Sequence, residues 1–291
     1  MSGRGGLVLL VVLVMTAFAA NSLLNRAGVG RGEIGALEFA AIRTVAGAAT
    51  LAALVLLRRK SGLPPGRVMA VGALSLATYM IGFSVAYLRL DAGIGALILF
   101  GGVQLAMFAG GLLGGERPPA RRWIGSGLAL GGLAWMFWPT HGVRIDPAAA
   151  LAMGAAALGW GVYSLNGRRT ADPLGATAAN FVLAAPLCLI AVVLVPGAAP
   201  ATSHGVLLAV ISGAVTSGLG YALWYTLLPR LTATAASLTQ PSVPVIVLAG
   251  GALLLGEAVA PATVLAAALV LGGVAFGSLP GRQRTIGSSG S

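Results

Sequence analysis

The chain has 291 residues, of which 57% are hydrophobic and only 9% charged, with a mean hydropathy of +0.93. An ordinary soluble domain carries roughly 25% charged residues, so composition excludes a soluble enzyme or binding module and points to a membrane protein. The formal charge of +11 would suggest nucleic acid only if Lys and Arg lined one face of a soluble fold. They sit between apolar runs instead, and no nucleic-acid partner is expected.

Apolar runs of 17 to 25 residues can cross a hydrocarbon layer about 30 Å thick as helices, which satisfy their own backbone there. Ten such runs are expected, at 7–27, 33–57, 67–88, 91–114, 122–138, 147–166, 174–195, 204–228, 232–255 and 261–279. The breaks between them carry Pro, Gly or charge, as in RRKSGLPPGR, GERPPARR, PTHGVRIDP and RRTADP. The fold class expected is thus an all-α integral membrane protein of ten transmembrane helices. The closing GSSGS, 287–291, reads as an appended tail outside the fold.

In chain order, helix 1 begins after Arg4 and contains Ala17-Phe18-Ala19, which imitates a secretory cleavage site. An uncleaved helix is preferred, because cleavage would destroy the repeat described below. Asn21 and Ser22 are polar groups of this helix suited to hydrogen-bond a zwitterion or a neighbouring helix. Helix 2 carries the intramembrane charges Glu38 and Arg43. An arginine at mid-membrane costs about 2.5–3.5 kcal/mol on insertion scales. Arg43 must therefore find water or a partner, and a structural tie to carbonyls or to Glu38 is the preferred reading over substrate binding. Tyr79, Phe83 and Tyr87 recur along one face of helix 3, and Tyr221, Trp224 and Tyr225 share a face of helix 8. Phe83 and Trp224 are candidate gates or apolar walls for a substrate, and Trp160 and Tyr163 of helix 6 are similar candidates. Trp123 and Trp138 flank helix 5 as interface anchors. Helix 4 contains Gly101-Gly102 with Gln104, and helix 9 contains Gln240-Pro241-Ser242-Val243-Pro244. Glycine weakens a helix, and proline removes a donor and kinks it. Both sites are expected to be irregular and to face a substrate pathway, in preference to the alternative of close helix packing through small residues, with Gln104, Gln240 and Ser242 offering polar groups to the cargo.

The chain repeats itself. Residues 115–132 read GERPPARRWIGSGLALGG and 256–273 read GEAVAPATVLAAALVLGG, an offset of 141 residues. Five helices fall within that offset, so the second copy enters the bilayer upside down. With the N-terminus in the cytoplasm, 13 Lys and Arg fall in inside segments and 4 in outside loops, which places both termini in the cytoplasm. Arg117, Arg121 and Arg122 of the first copy then face inside, and their loss after Glu257 follows from that loop facing outside. The expected domains are 1–140 for the first five-helix repeat and 141–286 for its inverted copy. Glu116 and Glu257, recurring at helix ends, are read as capping or Arg-pairing residues. Inverted halves are a secondary-transporter architecture, in which a midplane site is exposed alternately to the two sides.

The segment YALWYTLLPRLTATAASLTQPSVPVIVLAGGALLLGEAVAPATVLAAALVLGGV, 221–274, resembles the second repeat of EamA-type domains of the drug/metabolite transporter superfamily. AYLRLDAGIGALILF, GERPPARRWIGSGLALGGL, the ALGWGVYSL of helix 6 and Arg43 in IRTVAGAATL are similar to the same family. The resemblance covers essentially the whole chain and implies a ten-helix exporter of metabolites from a bacterial inner membrane, with amino acids, aromatic ones among them, as cargo. One departure is that Gly101-Gly102 stands where the family usually has a Pro in helix 4.

These readings make the protein a secondary exporter of neutral amino acids or related metabolites, its cavity lined by helices 1, 3, 4, 6, 8 and 9. Proton-coupled efflux of cationic drugs is the alternative, weakened because Glu38 is the only carboxylate at any depth. An enzyme is not expected, since His141 and His204 lack acidic neighbours and Cys188 lies in an apolar run as a plain buried thiol. No metal, cofactor or nucleotide motif is read. The expected partners are a small-molecule substrate and the lipid bilayer, with the chain working as a monomer.

Overall fold

The structure, a computed structural model, describes residues 4–58, 66–136, 145–167, 170–195, 201–227 and 240–279, with Tyr225 lacking a described side chain. Readings that rest on Arg59, Lys60, Trp138, His141, Arg144, Arg168, Arg169, Arg230, Arg282, Arg284 and the 287–291 tail lie outside the described residues.

Among the described residues all regular structure is helical. The helices are α1 (Arg4–Val29), α2 (Ala36–Arg58), α3 (Gly66–Ala86), α4 (Ala92–Leu113), α5 (Ala120–Met136), α6 (Pro147–Gly167) and α7 (Pro173–Leu194). Then follow α8, from Ser203 to Leu227, α9, from Ser242 to Leu255, and α10 (Pro261–Ser278). Eight are long and apolar enough to cross a membrane; α5, of 17 residues, and α9 are shorter. Start signals are local. Asp172 accepts a hydrogen bond from the Gly175 N–H ahead of Pro173, Asp146 accepts from Ala149, and Thr202 caps α8 through Gly205.

The irregularity expected in helix 4 is corrected. Helix α4 runs unbroken through Gly101 and Gly102. A Cβ on Gly101 would press on Leu133 of α5 and Val270 of α10, and one on Gly102 would meet Ala157 of α6 at 2.8 Å. These glycines let helices approach closely rather than break one. At the start of α9, Gln240 and Pro241 form a turn and the helix begins at Ser242 with Pro244 in its first turn, so the chain is irregular where Pro241 is expected to interrupt it; residues 228–239 lie outside the described residues. Irregular backbone is also found in π-helical turns at Ser212–Leu219 within α8 and Gly251–Leu255 at the end of α9.

Packing follows the repeat. Helix α2 packs on α7 and α5 on α10, each pair being its own image when the halves are exchanged. The remaining large contacts come as images too: α3 on α6 with α8 on α1, α4 on α6 with α9 on α1, and α3 on α7 with α8 on α2. Gly132 and Gly273, the glycines that close the two repeats, each press against the facing helix across the α5–α10 seam. The former lies against Leu269 and Val270, and the latter against Gly125 and Ala129.

Candidate functional site

The interior of the bundle is polar where α1, α2, α3 and α8 meet. Arg43 is fully buried. Its Nε donates to Ser217 Oγ at 3.1 Å and one terminal nitrogen, Nη2, donates to the Tyr79 hydroxyl at 3.1 Å. The guanidinium also lies over the rings of Phe83 and Tyr79, 5.0 and 5.4 Å from their centroids. Ser217 in turn donates to Asn21 Oδ1 at 3.2 Å, which also accepts from Ser212 at 2.9 Å and Thr216 at 2.6 Å. The π turns make this convergence possible. In an α-helix five residues turn through about 500°, leaving position 217 roughly 140° away from 212. The wider turn brings the two hydroxyls round to one acceptor.

The expected tie of Arg43 to Glu38 or to carbonyls is thereby corrected: its partners are two hydroxyls and two rings. Glu38 turns back over the first turn of α2, its carboxylate standing where a Cβ of Gly35 would lie.

Aromatic side chains extend this core. Tyr79 meets Trp160 at 4.9 Å, and Trp160 stacks on Tyr163 at 5.3 Å and on Tyr221 at 5.4 Å. Tyr163 donates to Thr177. Phe83 lies edge-on to Tyr87 toward the end of the bundle that carries Glu257, whereas Trp224 lies toward the opposite end against Phe18. Of the residues singled out in the sequence, Asn21, Arg43, Tyr79, Phe83, Trp160 and Tyr163 are thus brought together, and Trp224 joins through Phe18 and Tyr221. Gln104 is half-buried on α4, and Gln240 and Ser242 are half-buried at the start of α9; no hydrogen bond joins Gln104 or Gln240 to the cluster among the described residues. Sequence reasoning missed Ser212, Thr216, Ser217 and Ser84, and saw Asn25 as a polar group of helix 1 without giving it a role. The pattern SxxxTS in α8 was the available signal, but membrane-helix hydroxyls so often bond their own backbone, as Thr216 does to Ser212, that it carries little weight.

The two ends of the bundle differ. At one end Glu257 Oε2 and Oε1 accept from the Ala92 N–H at the start of α4, at 2.8 and 3.1 Å. Arg26 of α1 donates to the same carboxylate at 2.9 Å, to Asp91 at 3.0 Å and to the Tyr87 carbonyl at 3.2 Å. Burial raises the Glu257 carboxyl above the ordinary glutamate range, opposed by the hydrogen bonds from Arg26 and Ala92. At the other end Glu116 pairs with Arg122 alone among the described residues, at 3.3 Å, with both side chains about half exposed. No group of three His, Cys, Asp or Glu stands together for a metal among the described residues.

Comparison with known proteins agrees with this geometry. The chain is 45% identical over 270 residues to the uncharacterized protein PA1977 of Pseudomonas aeruginosa, covering 92% of this chain and 93% of that one. Its fold is similar to a crystal structure of a protein whose description names no function, with a TM-score of 0.68, 22% identity, and 93% and 98% of the two chains covered. The model of the EamA-like transporter family matches twice, at residues 6–138 and 147–279. The chain therefore belongs to the EamA-like transporter family, a multi-pass membrane protein built of two inverted repeats.

Proposed function

We propose that this membrane transporter exports neutral amino acids, aromatic ones foremost, or closely related metabolites. Export proceeds from the cytoplasm across the inner membrane, the Glu257 end faces outward, and both termini are cytoplasmic. The two halves rock about their common seam, so that the central cluster opens alternately to each side. The observation that carries this reading is the cluster itself. Asn21, Arg43 and Ser217 form a buried polar centre continuous with the aromatic faces of Tyr79, Trp160 and Tyr221, which matches a cargo with a polar head and a flat apolar side chain. A central guanidinium repels cations, which speaks against efflux of cationic drugs. The test is flux of radiolabelled phenylalanine, leucine, threonine and lysine in liposomes, with and without a pH gradient. Saturable flux of the neutral substrates, phenylalanine fastest and lysine slowest, is expected. Flux no greater than in empty liposomes for the whole panel overturns the reading.

A further inference from the structure

The seam holds a cation without an anion and an acceptor without a donor. All seven Asp and Glu side chains belong to described residues, and among them none forms an ion pair with Arg43. Its Nη1 is sealed from solvent and has no hydrogen-bond partner. The rings of Tyr79 and Phe83 stand where a counter-ion would. Asn25, one turn beyond Asn21 on the same face of α1, is also fully buried. Its Nδ2 donates to Ser84 at 2.9 Å, while its Oδ1 is left without a donor. Buried polar atoms are nearly always satisfied, and each exception calls for a reason.

We infer that these two groups are the recognition pair for a zwitterion: Arg43 takes the substrate carboxylate and Asn25 accepts from its ammonium. The inference rests on the amino-acid reading above and names the residues that perform it. Chemistry fits both halves. A guanidinium presents paired N–H donors matched to the two oxygens of a carboxylate, so Nη1 with Nη2 can hold it bidentate once the Tyr79 hydroxyl yields. An ammonium offers donors only, which is what an empty amide oxygen requires. From Arg43 the side chain of such a ligand meets Tyr79 and then Trp160, which makes a flat apolar group the favoured one. Both groups lie where the halves meet. Arg43 of the first half bonds Ser217 of the second, and Asn21, one turn before Asn25, bonds Ser212 of the second. Movement of one half against the other therefore uncovers the pair without unfolding a helix.

The test compares three probes in competition with phenylalanine counterflow: phenylalanine itself, phenethylamine, which lacks the carboxylate, and 3-phenylpropionate, which lacks the ammonium. In the native protein each truncated probe is expected to bind at least about tenfold more weakly, the loss of one hydrogen bond to a charged group. Arg43→Gln should remove the preference for phenylalanine over phenethylamine and leave its preference over phenylpropionate; Asn25→Leu should do the reverse. Should Arg43→Gln fail to elute as a folded species, Arg43→Lys, which keeps the charge but not the fork, serves: phenylalanine weakens about tenfold and phenethylamine does not. Equal weakening of all probes in the folded variants overturns the inference and makes both residues structural. A native protein that takes phenylpropionate in preference to phenylalanine removes the amino-acid reading and the role of Asn25 while upholding Arg43.

Discussion

The same short motif ends α4 and α9, and its two copies live in different surroundings. In each, the helix stops at a left-handed glycine, Gly115 with φ 83° and Gly256 with φ 72°, a backbone that any side chain would strain. In each, the following glutamate folds its carboxylate back over a glycine, Gly111 or Gly251, leaving no room for a Cβ there. The contact is thus repeated, over five residues at the end of α4 and over six at the end of α9, whose last turn is π-helical. What differs is the neighbour. Glu257 reaches the first turn of α4 and Arg26, and only 11% of its side chain is exposed; Glu116 keeps 51% exposure and a solvent-facing Arg122. Among the described residues, the motif becomes a fastening between helices at Glu257, where the start of α4 and Arg26 of α1 come to meet it; the counterparts of these two in the other half, 233 and 168, lie outside the described residues. The structure is therefore fastened at its Glu257 end.

Removing the arginine is the strongest way to break this contrast. Arg26→Ala leaves Glu257 and Asp91 facing each other and the Tyr87 carbonyl unpaired. A fully buried pair broken in this way costs about 3–5 kcal/mol, and the 43% exposure of Asp91 brings the expected loss to about 2 kcal/mol. Arg122→Ala at the opposite end breaks an exposed pair and should cost no more than about 0.5 kcal/mol. Thermal unfolding of the purified protein in detergent measures both. Equal losses would show that the two ends are fastened alike.

Substitution of the glutamates separates the hydrogen bond from the charge. Glu257→Ala uncaps α4, at about 1 kcal/mol, and should speed amide exchange over the first turn of α4. Glu257→Gln keeps an acceptor for the Ala92 N–H and should leave that exchange no faster than in the native protein. Glu116→Ala should alter neither stability nor exchange measurably. If the glutamine variant loses as much as the alanine variant, the charge and not the cap is what holds this end.

Much of this was legible in the sequence, and the limits have physical causes. Hydropathy and the 141-residue offset predicted the helices and their inverted repetition, because membrane thickness and charge asymmetry act on each helix separately. Glu116 and Glu257 were read as capping or Arg-pairing residues, and Glu257 does both. The irregularity in helix 4 was misplaced, because glycine is a local signal whose effect depends on its surroundings: Gly101 serves the neighbouring helices, whereas the turn at Gln240-Pro241 falls where proline was expected to interrupt helix 9. The π turns of α8 could not be read, since they match three hydroxyls to Asn21, 191 to 196 residues away. Arg43 was visible as a charge, but its lack of an anionic partner belongs to the packed interior alone.

The smallest effect concerns pH, and its sign is informative. Burial raises Glu257, so the fastened state binds a proton more tightly than a state in which this carboxylate is hydrated. By linkage, the contribution of this group to the fastened end is fully present below the ordinary glutamate pKa, about 4.3, and is lost as pH rises through the raised value. Acidification should therefore tighten the Glu257 end rather than release it, contrary to what an ion pair with Arg26 alone would suggest. Burial opposes the charged form more strongly than Arg26 and the Ala92 N–H favour it. In exchange measurements on the α4 first turn, native protein should become more protected as pH falls and converge on Glu257→Gln, which is neutral throughout. Protection that declines on acidification would mean that attraction to Arg26 outweighs burial, and that the fastening is electrostatic after all.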